Sequence, residues 1–254
     1  MLTQARQEEI LKLVKSRGSV TLQELKEHLH ISESTIRRDL NTLDEQGRLE
    51  KVFGGAVAVD NMDSRDTQVA SRKEKNLEEK TRVAQYAAKM ITDEDFVFID
   101  AGTTTACMLD YIDAQGATFV TNAPSHAERL AQRGCDVILL GGRLKQSTEA
   151  VVGTETCRQM RQYHFSLCFL GTNGVSEIAG LSTPDPDEAV IKQCAVSQTH
   201  RCFVLCDHSK FFKVSPVTFA ELEDAVILTD EIPEGSFRER SNIVAVSERH
   251  AENI

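Results

Sequence analysis

The chain has no stretch of about 18 consecutive apolar residues, so no segment of it reads as a membrane-spanning helix. Its first residues, Met1-Leu2-Thr3-Gln4, lack the basic and then apolar run of an export signal, and the expectation is a cytoplasmic protein. The seven cysteines, at 107, 135, 157, 168, 194, 202 and 206, contain no Cys-x-x-Cys pair. Their odd number and apolar surroundings point to buried, reduced thiols and not to a disulfide framework. No Walker phosphate-loop pattern is present. Positive charge is also scarce: the formal net charge is −10, which at first argues against a nucleic-acid partner. The deficit is uneven, however. Residues 1–60 carry nine Lys and Arg against ten Asp and Glu, whereas residues 61–254 carry twenty against twenty-nine. The N-terminal part is nearly neutral, and phosphate binding depends on where the cations lie more than on their total.

Residues 1–58 hold three short helical patterns. Ile10, Leu13 and Val14 recur at helical spacing within 6–16, and Gly18 supplies a stop. Thr21-x-x-Glu24 is a capping box for a second helix with Leu22, Leu25 and Leu29 facing inward, and His30 and Ile31 make the turn. Ser32 is placed to cap a third helix, whose first residue, Glu33, suits the positive helix end. There Ile36, Leu40 and Leu43 form one apolar stripe, while Ser34, Arg37, Arg38 and Asn41 occupy the opposite side with Thr35 at its flank. Arg can bond guanine bidentately, Asn can bond adenine, and Ser or Thr can take phosphate. Gly47 ends this helix. Residues 49–53 and 56–59 then flank Gly54-Gly55 as a tight hairpin, from which Arg48 and Lys51 could touch backbone phosphates. A solvated helix with ordinary surface arginines would explain the third helix alone. Three short helices, a polar third helix and a basic wing together predict a winged helix-turn-helix. Its DNA-contacting residues would be Ser32, Ser34, Thr35, Arg37, Arg38, Asn41, Arg48 and Lys51.

Residues 59–75 are polar and charged without apolar periodicity and read as a linker to a body over 76–254. In the body, strand-like runs at 96–99, 119–120, 137–140, 167–170, 202–205, 225–228 and 243–246 alternate with helical stretches. Those stretches lie at 78–91, 106–112, 124–133, 154–162 and 187–199. This predicts an α/β domain with a largely parallel sheet, in which ligands bind in loops at the C-terminal strand ends. Those loops read Asp100-Ala101-Gly102-Thr103-Thr104-Thr105, Thr121-Asn122, Gly141-Gly142-Arg143, Gly171-Thr172-Asn173-Gly174 and Asp207-His208-Ser209-Lys210. Glycine lets a backbone approach closely, hydroxyls and helix N-terminal amides suit phosphate, and Lys210 could pair with it as a point charge. Capped turns would use the same threonines only to satisfy helix ends; convergence on one sheet edge favours a ligand site.

Ser34-Thr35-Ile36-Arg37-Arg38-Asp39-Leu40, with Leu43, Gly47 and Gly54-Gly55-Ala56, closely resembles the signature of DeoR/GlpR-type bacterial repressors of sugar and polyol operons. The likeness covers nearly the whole chain, since the strand-end loops look like that family's effector-domain landmarks. It implies an effector domain similar in fold to ribose-5-phosphate isomerase and CoA-transferases. It also implies operator DNA as partner, a homo-oligomer (dimer or tetramer), and release by a phosphorylated sugar. The implied effector residues are Asp100, Gly102, Thr103, Thr104, Thr105, Thr121, Asn122, Gly141, Gly142, Gly171, Asn173, Gly174, Asp207 and Lys210. Asn173 stands where many members carry Asp, and the loop 181–185 is variable among them. The start Met1-Leu2-Thr3 and the third helix look most like fructose-operon repressors, which makes fructose 1-phosphate the first effector to try. Other hexose or pentose phosphates and glycerol 3-phosphate follow it.

Two other readings compete. His200, Cys202, Cys206 and His208 invite a zinc site, but on one strand the two sulfurs would stand about 13 Å apart, too far to share an ion. Asp185, Asp187 and Glu188 could hold a general base for a sugar-phosphate isomerase-like or CoA-transferase-like enzyme, or could simply suit a helix N-terminus. The expectation is a regulator with no catalytic residue, metal or cofactor.

Overall fold

The computed structural model describes residues 3–52, 54–58 and 72–246, so Phe53 and most of the stretch read as a linker lie outside the described residues. The chain divides into two compact units. One comprises Met1–Ser64, Asn173–Pro184 and Lys210–Leu222; the other comprises Arg65–Thr172, Asp185–Ser209 and Glu223–Ile254.

In the first unit, α1 (Thr3–Arg17), α2 (Leu22–Leu29) and α3 (Glu33–Glu45) close around Ile10, Leu11, Val14, Leu25, Ile36, Leu40 and Leu43. The capping box forms: Thr21 Oγ1 accepts the Glu24 amide at 3.1 Å, and the Glu24 carboxylate accepts the Thr21 amide at 2.7 Å. His30 takes a left-handed φ of 54° and closes α2 on the Lys26 carbonyl. Ser32 does occupy the N-cap of α3, but its hydroxyl does not cap a helix amide. It bonds instead to the hydroxyls of Ser34 and Thr35, at 3.1 and 2.9 Å, which compete for it from the first turn. An unforeseen strand, β1 (Ser19–Thr21), joins β2 (Glu50–Val52) and β3 (Gly55–Val57) in an antiparallel sheet ordered β1-β3-β2. Three residues leading into a capping box are too few to show strand alternation. Gly55 makes this closure possible, since a Cβ there would stand 2.1 Å from the Val20 carbonyl oxygen.

Asp39, on the inward side of α3, is buried against α1. Its carboxylate accepts Arg6 Nε at 2.5 Å and Arg6 Nη2 at 3.1 Å, a bidentate pair pinning the third helix to the first.

The second unit is built on seven strands, all paired in parallel, in the order β15-β14-β12-β9-β4-β5-β6. They are β4 (Phe96–Ile99), β5 (Thr118–Thr121), β6 (Asp136–Leu139), β9 (Phe165–Gly171), β12 (Thr199–Cys206), β14 (Val226–Thr229) and β15 (Ile243–Ala245). The hairpin of β7 (Arg143–Lys145) and β8 (Ala150–Val152) stands apart from the sheet. Among the described residues, helices alternate with the strands: α4 (Leu77–Ala88), α5 (Thr103–Met108), α6 (Pro124–Gln132), α7 (Thr154–Met160) and α8 (Pro186–Ser197). The reading of 106–112 as one helix is corrected. Helix α5 starts at Thr103, taking the three threonines into its own turns, and ends in a 3-10 turn over Leu109–Tyr111. Val83, Ala84 and Ala87 of α4 share one core with Val97, Ile99 and Phe119. Phe169 and Phe203 stack across β9 and β12 with centroids 5.4 Å apart. The first unit also holds β10 (Gly174–Ser176), β11 (Gly180–Thr183) and β13 (Val217–Ala220), an antiparallel sheet that sequence periodicity did not reveal. No helix among the described residues is long and apolar enough to cross a membrane.

Asp39→Ala would strand a mostly buried guanidinium and cost about 2–3 kcal/mol. Amide exchange at Ile36 and Leu40 in the full chain should then quicken by about 30- to 150-fold. Glu33→Ala, which removes an exposed pair with Arg37 and a carboxylate from the first turn of α3, should change stability by about 1 kcal/mol.

Candidate DNA-binding face and sensor cavity

Packing of Ile36, Leu40 and Leu43 fixes the roll of α3, so Ser34, Arg37, Arg38 and Asn41 are all exposed, with Thr35 half-buried at the edge. Arg37, Asn41, Lys51, Val52 and Gly54 line a groove between α3 and the wing, together with Asp44 and Glu45. Asp44 is engaged there, accepting the Lys51 amide at 2.9 Å. Arg37 donates to Glu33 through Nε and Nη2 at 2.8 and 2.6 Å, and Arg48 donates to Glu8 at 2.7 Å. Both pairs are exposed, so each contributes about 0–1 kcal/mol, and a phosphate can replace the carboxylate cheaply.

In the second unit the strand-end residues fall into two groups. Asp100, at the end of β4, is 3% exposed and turned inward. Its Oδ1 accepts the Gly102 amide and the Thr105 hydroxyl, both at 3.0 Å. Its Oδ2 accepts the Gly171 amide at 2.8 Å and the ammonium of Lys192 on α8. Lys192 donates as well to the Gly171 carbonyl at 2.8 Å. Asp100, Thr105 and Gly171 are thus bound to one another and to Lys192, which sequence reasoning missed because it sits in an ordinary helical pattern. Gly102 is required here, since a Cβ would meet Asp100 Oδ1 and Thr105 Oγ1, both at 2.9 Å.

Thr121 Oγ1 accepts the Ala123 amide at 3.1 Å, and Asn122 Nδ2 donates to the Val151 carbonyl at 3.0 Å, tying β5 to the β7-β8 hairpin. The Gly141 amide donates to Gln159 of α7 and the Gly141 carbonyl accepts Thr156; Gly142 takes a φ of 152° beside that helix. Asp207 accepts the side-chain amide of Asn76 at 2.7 Å and the Ser209 amide at 3.0 Å. Asn173, Gly174 and Lys210 belong to the first unit, where the Asn173 amide donates to the Ser182 carbonyl at 3.0 Å.

Gly102 and Thr103, by contrast, line a cavity of about 110 Å³ at the C-terminal ends of β4 and β5, and Thr104 is buried in the same helical turn. The other walls carry Ser125, His126 and Arg129 of α6, Thr148 and Glu149 of the β7-β8 turn, and Lys73. None of these was singled out in sequence. Ser125, His126 and Arg129 follow Thr121-Asn122 into the next helix, so the strand-end rule could have found them. Lys73, from a charged stretch, carried no signal. Thr148 and His126 are 3% and 4% exposed, and Thr148 Oγ1 and His126 Nδ1 have no hydrogen-bond partner among the described residues. Buried polar atoms left unsatisfied are costly, and these two belong to residues that line the cavity. Arg129 is held by the Ala106 carbonyl at 3.0 Å and by Asp110 at 2.6 Å, whereas Lys73 meets Glu149 at 3.6 Å.

The sequence of the first 62 residues or so and that of the body match two family models. A DeoR-like helix-turn-helix domain matches residues 6–62, and a DeoR C terminal sensor domain matches residues 75–231. The chain belongs to the DeoR family. The uncharacterized HTH-type transcriptional regulator FruR of Bacillus subtilis is 40% identical over 238 residues, 93% of this chain and 94% of the relative. GlpR of Haloferax volcanii is 34% identical over 249 residues, 97% of each chain. A lactose phosphotransferase system repressor of Staphylococcus epidermidis is 35% identical over 230 residues, 89% of this chain and 91% of the relative. Among solved structures, a ribose 5-phosphate isomerase A from Methanocaldococcus jannaschii is similar at 16% identity and a TM-score of 0.40, covering 54% of this chain and 55% of its own. Apart from Lys73, the residues lining the cavity lie within the part of this DeoR-family chain that matches the sensor domain, and α3 lies within the part that matches the helix-turn-helix.

The competing chemistries fare differently. Asp185 caps α8 by accepting the Glu188 amide at 3.0 Å and meets Lys145 at 2.8 Å. Burial pushes its pKa up, but the bonds from Lys145 and the Glu188 amide outweigh burial and hold the carboxyl below its ordinary value. Asp187 pairs with Arg143. Cys202 and Cys206 are buried on β12, with Cys202 Sγ 3.6 Å from Cys168 Sγ on the neighbouring strand. Among the described residues no three His, Cys, Asp or Glu side chains gather as a metal site.

Burial pushes His126 down to about 4, against an opposing pull from the Asp100 charge, so its imidazole is neutral at pH 7. The unfolded chain takes up this proton first as the pH falls below about 6.5. The stability His126 supports is therefore whole above that pH and is lost as the pH drops towards 4. Between those limits the wild-type chain should lose up to about 3 kcal/mol more than His126→Gln in urea unfolding. Parallel pH profiles would contradict the assignment.

Proposed function

We propose that this chain is a repressor of a carbohydrate-catabolism operon, released from its operator by a phosphorylated sugar. The division of labour is residues 1–58 for DNA binding, 59–75 as linker, and 76–254 for sensing and self-association. The observation that carries the reading is the exposed face of α3, Ser34, Arg37, Arg38 and Asn41, on a helix whose apolar stripe packs the head. Arg37, Arg38 and Asn41 read bases, while Ser32, Ser34, Thr35, Arg48 and Lys51 contact phosphates and set register. A dimer or tetramer presents two such helices to a symmetric operator. The chain acts in the cytoplasm and is a regulator, not an enzyme; the engaged state of Asp185 and Asp187 and the regulator names of its relatives support this.

For the effector, the cavity beside Gly102 and Thr103 seats the phosphate, and the buried group around Asp100 shapes it. Thr121, Asn122, Gly141, Gly142, Gly171 and Asp207 act through loop geometry, and Asn173, Gly174 and Lys210 are further effector-domain positions that the resemblance implies. The likeness of Met1-Leu2-Thr3 and of the third helix to fructose-operon repressors makes fructose 1-phosphate the first candidate. Binding favours a state in which the two α3 helices no longer match the half-site spacing.

Arg37→Ala and Arg38→Ala should each weaken operator binding about 10- to 100-fold in a mobility-shift assay. Unchanged specific binding in both variants would remove α3 from the interface. Fructose 1-phosphate at about 100 times its Kd should stabilise the chain by about 2.7 kcal/mol, and fructose should not. Equal thermal shifts from the two compounds would refute a phosphate seat.

A further inference from the structure

The sensor cavity carries its own competitor for the ligand. We infer that Glu149 is a built-in counter-ion that holds Lys73 while the cavity is empty, and that a phosphate dianion takes Lys73 from it; the inference rests on the cavity being the phosphate seat. Lys73 and Glu149 face each other at 3.6 Å, and the side chain of each is 53% exposed. Such a pair is cheap to open. The other cation in the wall, Arg129, is anchored by the part-buried bond to the Ala106 carbonyl beside its exposed pair with Asp110, so it is less free to move than Lys73. Lys73 is kept near the cavity because the buried Lys80 ammonium holds the carbonyl of its neighbour, Arg72.

The turn that presents Glu149 is itself constrained. Glu149 adopts a left-handed φ of 56°, a conformation costly for a residue with a side chain. This backbone places Thr148, with its unpartnered hydroxyl, and Glu149 side by side on the cavity wall. One short turn therefore offers a neutral hydrogen-bonding group to the ligand and a like charge against it. An anion that binds must displace the carboxylate from Lys73. Neutral sugars gain nothing from the exchange, which makes the pair a filter for phosphorylated ligands as well as a brake on their affinity.

The test is calorimetric titration of inorganic phosphate into the full chain, run as a double-mutant cycle. Lys73→Gln should weaken phosphate binding about 10-fold, and Glu149→Gln should tighten it about 3- to 10-fold. The exchange requires coupling: Glu149→Gln should tighten binding at least about 3-fold more with Lys73 present than in the Lys73→Gln background. Additive effects would overturn the exchange, leaving two independent charges near a phosphate seat. Ser125→Ala and Thr148→Val report on the seat itself and should each weaken binding whatever the charges do. If phosphate binds but these two variants and the charge variants all bind like wild type, the seat lies elsewhere. Absence of any phosphate binding by the wild-type chain would overturn the seat and the exchange together.

Discussion

The second unit depends on one buried carboxylate. Asp100 stands at the end of β4, where the sheet order turns from β5 and β6 on one side to β9 and β12 on the other. Open parallel sheets leave a crevice at such a reversal. Here Asp100 fills it, accepting the Gly102 and Gly171 amides, the Thr105 hydroxyl and the Lys192 ammonium. A charge buried this deeply is tolerable only because donors surround it. The consequence is geometric: the β4 loop, the β9 loop and α8 share one anchor, and Thr103 and its neighbours are displaced to the β4-β5 side, where the cavity opens. The cavity is thus shaped by a charge that does not itself line it.

The DNA-binding head solves a related problem with fewer resources. It is nearly neutral, so bulk attraction to DNA is weak, and affinity must come from positioned contacts. The Arg6–Asp39 pair aligns α3, leaving its opposite face to Arg37, Arg38 and Asn41. The exposed carboxylates of Glu33 and Glu8 hold Arg37 and Arg48 in the free protein. The same device, a surface cation kept by a weakly bound acid, recurs in the sensor cavity with Lys73 and Glu149.

The parallel sheet was legible because each of its strands is a short apolar run that must be buried on both faces. The seven runs read from sequence are the seven strands of the sheet, with ends within two residues except at the start of β12, which pairing lengthens. The capping box and the stripe of α3 were legible for similar reasons of local chemistry. The strands β1, β10, β11 and β13 were not, because three or four residues are too few to show a period and are fixed by long-range pairing. Within the site, the Asp100 and Gly102 loop was found from residue types, but its inward direction was not, since a carboxylate at a strand end can turn either way. Lys192 looked like a surface lysine, and Lys73 lay in a charged stretch; only tertiary contacts reveal either.

The central claim is that a phosphorylated sugar is sensed at the ends of β4 and β5. Hydrogen–deuterium exchange of the full chain with and without fructose 1-phosphate tests it most directly. The account predicts slower exchange over 101–106, 123–129 and 147–149, and no such change with fructose. Protection confined to other segments, or equal protection by fructose, would contradict it.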